Sequence, residues 1–569
     1  TIPLSFYLNS SIDPSTFTSP FTMNPFISSF SLFYYFTFFR MGGSSSKCPS
    51  SKEVSITGGK IIGRRFFHDE DKPVDAYQGI PYAKPPVEEL RFKKAEVVDE
   101  WEGVKECISF GNRGMQTTNM YEKWKHGPVS EDCLYLNVFS PTWKSSSPSG
   151  FPVVFFIHGG AFVSDSTVKY GDILISKYLV RKDVVVVTTQ YRLGFLGFWS
   201  TGDDSCVDNL GLWDQTCALQ WVQHNIESFG GDKNNVTIMG QSAGGASVDL
   251  LSLSPHSRDL FHKVIPMAGN SSADWALQEN AVEKCREWAM NKMKIDDGGN
   301  SKEFIQKLRL ESAQKFATSM EVKVKENPKD GIQIGPRIDG IFFPKTLNEL
   351  RKEAGNKPRM VGCCRYEGIM LMMGGKVKKD RSSFESVIAS LIPESVNEFK
   401  RKRDEMLEEY LKEDDMTKGL AELYSDLFLN ISCQQYVLDW LEVGHDHIYL
   451  YSFNYFNEKS FGPLSYLLPI KGATHCSEIP YILGKGLIWD FTLNEEDIEM
   501  VEKVTGAWSN FAKFGNPNGD NNENPLGVEW IPATKENPER CMNIDWESKM
   551  DDHFREGRPM KWIEHRKGL

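Results

Sequence analysis

Cysteine is scarce in this chain of 569 residues: there are 11, too few for a fold held together by disulfide bonds. A basic surplus is also missing, because 65 Lys and Arg stand against 77 Asp and Glu, which gives a formal net charge of −12. Binding to nucleic acid needs a basic surface, so we expect no nucleic-acid partner. Hydrophobic residues make up 40% and charged residues 25%, which excludes a collagen, a coiled coil and a wholly disordered chain.

The first 50 residues differ in character from the rest of the chain. Residues 14–39 carry no charge and are long enough to span a bilayer. However, Ser, Thr, Asn and Pro interrupt them, and no Lys or Arg precedes them as a signal peptide requires. The chain also begins with Thr rather than Met. We therefore expect residues 1–50 to form a disordered tail of upstream translated sequence followed by an acylation motif; a true signal peptide or membrane anchor is the alternative.

An acylation motif follows within this tail. Met41 precedes Gly42, and Ser46 occupies the position that N-myristoylation favours. Cys48 is a candidate for a second acyl chain, which matters because one myristoyl chain holds a membrane only marginally. The motif predicts an intracellular protein, either cytoplasmic or attached to a membrane surface by N-terminal acylation. A Gly/Ser-rich linker that matches the motif by chance is the alternative to acylation, and secretion is the alternative location.

Apolar runs of strand length alternate with amphipathic segments from about residue 54 onward. Residues 152–157 and 183–189 are almost continuously apolar, which is typical of strands buried on both faces. Residues 218–229 form a helix-like segment that Gly230 ends. This alternation predicts an α/β fold with a large, mostly parallel, twisted sheet that has helices on both faces. Ligands bind such sheets beyond the carboxyl ends of the strands.

A serine lies at the centre of a glycine-rich turn. Residues 240–244 (GQSAG) form a G-x-S-x-G pentapeptide around Ser242. A strand-like run, residues 235–239, precedes it, and a helix-like run, residues 243–254, follows. This order is that of a nucleophile elbow, where small flanking residues let the backbone close and present the hydroxyl at the edge of the sheet. We predict that Ser242 is a nucleophile; an ordinary glycine-rich helix start is the alternative.

Two further residues complete a predicted catalytic triad. A serine hydroxyl is a poor nucleophile until a base removes its proton. His475 lies among small residues after the strand-like run 447–453, and we interpret it as that base rather than as a buried structural histidine. Glu367 is predicted to orient the imidazole, although from the pattern alone it is one acidic candidate among many. The chain order Ser, Glu, His is the order of α/β-hydrolases.

Backbone donors for an oxyanion are predicted at a second glycine-rich turn. Residues 158–162 (HGGAF) directly follow the strand-like run 152–157. Glycines there let backbone N–H groups face a ligand without interference from side chains. One oxyanion donor typically lowers a barrier by about 3–4 kcal/mol. We assign the hole to the N–H groups of Gly160, Ala161 and Ala243; a tight turn without a catalytic role is the alternative.

These residues resemble the type B carboxylesterase family, which includes the cholinesterases. Further matching segments are residues 78–86, 90–92, 130–138, 191–194, 209–215 and 218–222. The resemblance covers a single domain, residues 54–563. It implies an α/β-hydrolase fold with Ser242, Glu367 and His475 as the triad. It also implies hydrolysis of a small-molecule carboxylic ester with neither a metal nor a cofactor.

The cysteines depart from the family pattern. Secreted members usually carry three disulfides. Here Cys133 is present, but the partner position near Gly114 holds no Cys, and Cys107 lies seven residues before it. Only Cys285 occurs in the region of the second disulfide, and residues 559–562 contain no Cys for the third. Unpaired thiols favour a reducing compartment, in agreement with the acylation motif.

Three residues are candidates for the substrate pocket. In cholinesterases Glu usually precedes the serine, whereas this chain has Gln241. A carboxylate about 5 Å from a bound cation contributes up to about 3 kcal/mol at an effective dielectric constant of about 20, so its absence disfavours a quaternary ammonium substrate. Trp124 lies near the position of a cation-binding Trp, with a surface or packing role as the alternative. Phe162 is the third candidate.

The sequence therefore predicts a serine hydrolase that cleaves carboxylic esters through an acyl-enzyme intermediate. A catalytically silent binding or adhesion protein on the same fold is one alternative, because the fold alone does not set the function. A cholinesterase or a hormone esterase is another, and it differs only in the substrate. The oligomeric state is left open.

Overall fold

The computed structural model describes residues 49–68, 72–319, 332–372, 378–412, 415–486 and 492–567. These belong to one compact unit, Pro49–Leu569. The expectations for the N-terminal tail, including Gly42 and Cys48, lie outside the described residues. The domain boundaries at residues 54 and 563 stay a prediction.

The strands of the described residues range from short edge pairs to long buried runs. They are β1 Val54–Ile56, β2 Gly59–Ile62, β3 Arg64–Phe66, β4 Val74–Pro81, β5 Val104–Glu106, β6 Arg113–Gly114, β7 Val129–Ser130, β8 Tyr135–Pro141, β9 Phe151–Ile157, β10 Val185–Thr189, β11 Gly231–Gln241, β12 Lys263–Met267, β13 Arg359–Cys364, β14 Ile448–Phe453, β15 Cys541–Ile544 and β16 Lys549–Asp551.

Eleven of these strands form one sheet, in the order β16-β15-β14-β13-β12-β11-β9-β10-β8-β4-β3. Neighbouring strands from β15 to β10 run parallel. The pairs towards both edges are antiparallel. The predicted large, mostly parallel sheet is thus confirmed. Two small sheets, β1-β2-β5 and β6-β7, accompany it.

The α-helices vary from single turns to a helix of 20 residues. In the described residues they are α1 Met120–His126, α2 Gly194–Gly197, α3 Leu210–Asn225, α4 Ala243–Leu253, α5 Ala281–Trp288, α6 Ser301–Arg309, α7 Leu347–Glu353, α8 Ile369–Met372, α9 Arg381–Leu391, α10 Phe399–Tyr410, α11 Met416–Ser425, α12 Ile431–Glu442, α13 Glu458–Phe461, α14 Ile479–Leu483, α15 Glu495–Phe514 and α16 Arg558–His565.

Helices cover both faces of the sheet, as predicted. Successive strand residues point to opposite faces. On β9, Val153 and Phe155 join the apolar cluster that contains residues of α3 and α4. Val154 and Phe156 join the other cluster, which contains residues of α15. Burial on both faces explains why β9 is a continuous apolar run rather than an alternating one.

The predicted segments agree closely with the observed elements. The runs 152–157, 183–189 and 447–453 form β9, β10 and β14. The helix-like segment 218–229 is the second part of α3 followed by a 3-10 turn, Ile226–Phe229. Gly230 ends this turn with a φ of 79°, a left-handed conformation that glycine adopts without steric cost.

The sheet brings the candidate site residues to one edge. Because β9, β11, β13 and β14 lie in a continuous parallel series, their carboxyl ends point the same way. Ser242 follows β11, Glu367 follows β13 after two residues, and His475 lies in the segment after β14.

Two further features bear on the expectations from the sequence. All cysteines in the described residues are free, most of them buried. Within the same residues, every helix is too short or too polar to pass through a bilayer.

Candidate active site

Ser242 occupies a strained turn between β11 and α4. Its φ is 58° and its ψ is −124°, a conformation that a residue with a side chain rarely adopts. Small neighbours make the turn feasible. A Cβ atom on Gly244 would lie 2.1 Å from the carbonyl oxygen of Ile157, and one on Gly240 would lie 2.4 Å from the carbonyl oxygen of Gly244. The two glycines are therefore required by close backbone contact.

His475 and Glu367 form a buried pair at the same edge. The imidazole Nδ1 atom lies 2.5 Å from Oε2 of Glu367. The second oxygen of this carboxylate accepts a hydrogen bond of 2.6 Å from the backbone N–H of Cys364. Glu367 is fully buried and His475 is 7% exposed. The carboxylate is thus held on both oxygens, and one of them fixes the orientation of the imidazole.

Backbone hydrogen bonds join the loops that carry this pair. The N–H of Tyr366 donates to the carbonyl oxygen of Ala473 over 2.8 Å. Within the histidine loop, the N–H of Thr474 donates to Oγ of Ser477 over 2.9 Å. The bond from Tyr366 to Ala473 thus joins the residue before Glu367 to the residue two positions before His475.

The surroundings of His475 change its proton affinity. Burial disfavours the charged imidazolium, whereas Cys476 and Glu367 favour it, and the pKa of His475 is raised well above its ordinary value of 6.5. The Phe428 ring packs edge-on against the imidazole, with 5.4 Å between ring centres.

The imidazole Nε2 atom faces Gln241 rather than the serine hydroxyl. It lies 3.3 Å from Nε2 of the Gln241 amide. No hydrogen bond joins Ser242 to His475 among the residues that the structure describes. Ser242, which is 9% exposed, directly follows Gln241 in the chain.

The glycine-rich turn after β9 packs directly against the serine. A Cβ atom on Gly159 would lie 3.0 Å from the Cβ atom of Ser242. Gly160 and Ala161 have φ values of 94° and 54°. In the described part of the chain, their N–H groups donate no hydrogen bond to protein. The N–H of Ala243 is the first of α4 and has no acceptor within the helix.

The remaining pocket candidates lie in very different surroundings. Phe162 is fully buried and packs against the ring of Phe198, with 5.3 Å between ring centres. Trp124 lies on α1 and is 70% exposed. A substrate role for either residue stays a prediction. Phe428, in contact with His475, was not predicted, because no motif marks it in the sequence.

Metal ligands do not cluster in the described residues: no group of three or more His, Cys, Asp and Glu side chains could hold an ion there.

A mostly parallel sheet with a strained serine turn after one strand and a His–Glu pair after two others is the arrangement of an α/β-hydrolase.

Comparison with known proteins narrows this class. The model of the carboxylesterase family matches residues 50–562. Esterase cest-33 of Caenorhabditis elegans is 40% identical over 545 residues, which cover 91% of this chain and 95% of that protein. Juvenile hormone esterase of Tribolium castaneum is 30% identical over 550 residues, covering 89% and 90%. Carboxylesterase 1C of Rattus norvegicus is 32% identical over 496 residues, covering 83% and 87%.

The chain belongs to the carboxylesterase family. The resemblance stated from the sequence is thus confirmed, together with the α/β-hydrolase fold. The protein is a carboxylic ester hydrolase, and its substrates are small-molecule esters.

Proposed function

We propose that Ser242, His475 and Glu367 act as a catalytic triad that hydrolyses neutral, moderately apolar carboxylic esters. The observation that carries this proposal is the 2.5 Å contact between Nδ1 of His475 and Glu367, beside the strained turn at Ser242. A carboxylate that accepts a hydrogen bond from Nδ1–H keeps that proton on Nδ1 and leaves the Nε2 lone pair as a base.

The proposed reaction has two halves. The Nε2 atom of His475 takes the proton of Ser242 as the oxygen attacks the ester carbonyl. The tetrahedral oxyanion is stabilised by the N–H groups of Gly160, Ala161 and Ala243, which have no acceptor among the described residues. The same imidazole protonates the leaving alcohol, and an acyl-enzyme forms. Water then attacks this ester with the same base, and Ser242 is regenerated.

The choice of ester is part of the proposal. Gln241 supplies no charge for a cationic substrate, so we expect short aryl esters to react faster than choline esters. One similar protein bears the name juvenile hormone esterase. A panel of esters would measure which acyl and alcohol groups this chain prefers. Steady-state kinetics with matched aryl and choline esters test this point.

Covalent labelling tests the triad. A fluorophosphonate should attach to the wild-type protein at Ser242, and Ser242→Ala should lose both the label and the esterase activity. Ser271→Ala is a matched control, because Ser271 is 7% exposed and its hydroxyl has no hydrogen-bond partner in the described residues. Full activity in Ser242→Ala would refute the proposal.

A further inference from the structure

Gln241 lies between the imidazole and the glycine-rich turn. It is the last residue of β11 and is 1% exposed. Its Nε2 atom lies 3.3 Å from Nε2 of His475. On its other side, a Cβ atom on Gly159 would come within 3.0 Å of the Gln241 Oε1 atom. The missing side chain of Gly159 therefore leaves the space that the Gln241 amide occupies.

The partner at Nδ1 sets the direction of this contact. A carboxylate only accepts hydrogen bonds, so the Nδ1 atom facing Glu367 carries the proton. In a neutral imidazole the Nε2 atom is then an acceptor. The amide N–H of Gln241 is the matching donor, and it engages the same lone pair that must receive the proton of Ser242.

We propose that Gln241 is a positioning residue that holds the neutral imidazole of His475 by its Nε2 atom until Ser242 takes its place. This inference rests on the proposed triad. The hydroxyl of Ser242 and the amide of Gln241 compete for one lone pair, so the amide must move away for the attack. Once Nε2 carries the proton of Ser242, an amide N–H facing it is repelled, so the amide does not return to Nε2 until that proton has been passed on.

The contact has a predictable effect on proton affinity. A hydrogen bond to the neutral form of a base stabilises that form and lowers the pKa. Gln241 thus opposes Glu367 and Cys476, which favour the charged imidazolium. The other titratable groups that face His475 and Glu367 are Glu478 and the thiol of Cys364.

The test is the pH dependence of kcat/KM and of fluorophosphonate inactivation in Gln241→Met, which keeps the side-chain length but has no donor. The pKa of the acid limb should rise by about 0.5–1 unit, and the plateau at high pH should rise as well, because an imidazole bonded to the amide cannot accept the proton of Ser242. The variant should therefore exceed wild type by about 3–10-fold on the plateau and by nothing at acid pH. Gln241→Glu, which offers an acceptor to the imidazolium, should raise the acid limb further, by about 1–2 units.

Gln434→Met is the matched control. Gln434 is also fully buried, but its amide donates to the carbonyl oxygen of Pro538 over 2.8 Å. This variant should leave the acid limb in place. An unmoved limb with a lower plateau in Gln241→Met would indicate packing alone, and a downward shift would indicate that the amide oxygen faces Nε2; either result overturns the inference.

A measurement on the wild-type protein covers the case in which Gln241→Met does not fold. Nitrogen–proton correlation spectra of the histidine rings should find His475 protonated at Nδ1 and unprotonated at Nε2 above the acid limb. A proton at Nε2 would overturn the inference. Activity that survives Ser242→Ala would refute the triad itself, whereas loss in Ser242→Ala with an unmoved limb in Gln241→Met refutes only the role of Gln241.

Discussion

The Nδ1 atom of His475 lies 2.5 Å from Oε2 of Glu367, although 108 residues separate them in the chain. The backbone N–H of Cys364 holds the other carboxylate oxygen. The orientation of the imidazole is thus set by a carboxylate that is itself fixed.

Replacing this carboxylate by an amide should remove the orientation without removing much volume. In Glu367→Gln the side chain no longer favours a proton on Nδ1, and it no longer stabilises the imidazolium. We expect kcat/KM for an aryl ester to fall by about 10³–10⁴-fold. Glu422→Gln is the control. Glu422 lies on α11 and its carboxylate accepts a hydrogen bond from Arg365, so this variant should retain activity. A loss smaller than tenfold in Glu367→Gln would show that another group orients His475.

The pH dependence of activity follows from the pKa of His475. In the proposed mechanism only the neutral imidazole accepts the serine proton, and the pKa of His475 is raised well above 6.5. Activity should be greatest above this pKa and should fall as the pH is lowered through it, so the acid limb lies above that of an ordinary histidine. A profile of kcat/KM between about pH 4 and about pH 9 measures the position of the acid limb. A flat profile would exclude His475 as the base.

Glu478 should make the stability depend on pH. It is fully buried; Oε2 accepts from the Cys364 thiol over 2.8 Å, and Oε1 has no partner in the described residues. Burial and the charge of Glu367 raise the pKa of Glu478 to about 7. Because this folded pKa is above the unfolded one, the stabilising effect of its proton is complete below about pH 4.5 and is lost as the pH rises through about 7.

Glu478→Gln keeps a neutral side chain at every pH. Relative to wild type, it should therefore be stabilised at alkaline pH, by up to about 3 kcal/mol, and less at acid pH. The midpoints of thermal unfolding of both proteins, at one acid and one alkaline pH, measure this difference. Glu303→Gln, on the exposed surface of α6, should show no such difference. A Glu478→Gln protein with the same midpoint shift at both pH values would contradict the prediction.

The ion pair between Arg192 and Asp214 should be essential for stability. Arg192 is 3% exposed and Asp214 is fully buried, and their closest atoms are 2.6 Å apart. Asp214→Asn leaves a buried guanidinium without its counter-charge, which typically costs about 3–5 kcal/mol. Thermal unfolding should show a large drop in the midpoint. Glu385→Gln, which breaks an exposed pair with Arg381, should leave the midpoint unchanged, and an equal effect in both would contradict the prediction.

We propose that Gly42 is acylated in cells. Mass spectrometry of the mature N-terminus should find a myristoyl group on Gly42 after removal of Met41, and Gly42→Ala should abolish it. Cys48→Ser should weaken membrane association while leaving the myristoyl group in place, because two acyl chains anchor more firmly than one. A processed or longer N-terminus without a lipid would refute this proposal.

Local patterns predicted the features that local physics determines. The strand β9 was predictable because burial on both faces requires a continuous apolar run. The turn at Ser242 was predictable because Gly240 and Gly244 each lie too close to a neighbouring backbone for a side chain. Glu367 was different: nothing in its own segment distinguishes it from other acidic residues, and only the family resemblance selected it.

Features that depend on contacts between distant segments could not be predicted from the sequence. Gln241 was interpreted through its missing charge, but its contact with His475 depends on a loop 234 residues away. Phe428 contacts the imidazole from a segment without a motif. Phe162 and Trp124 are both aromatic, yet one is fully buried and the other is 70% exposed, because exposure depends on which distant elements cover a residue.

The hydrogen bond between Tyr366 and Ala473 joins the loop that carries Glu367 to the loop that carries His475. Both bonded residues precede the side chains of the buried pair in the chain. This bond restricts movement of one loop relative to the other, and with it movement of the Glu367 carboxylate relative to the imidazole. Changes in the residues that surround a bound ester can thus broaden or narrow the range of accepted molecules without separating His475 from Glu367.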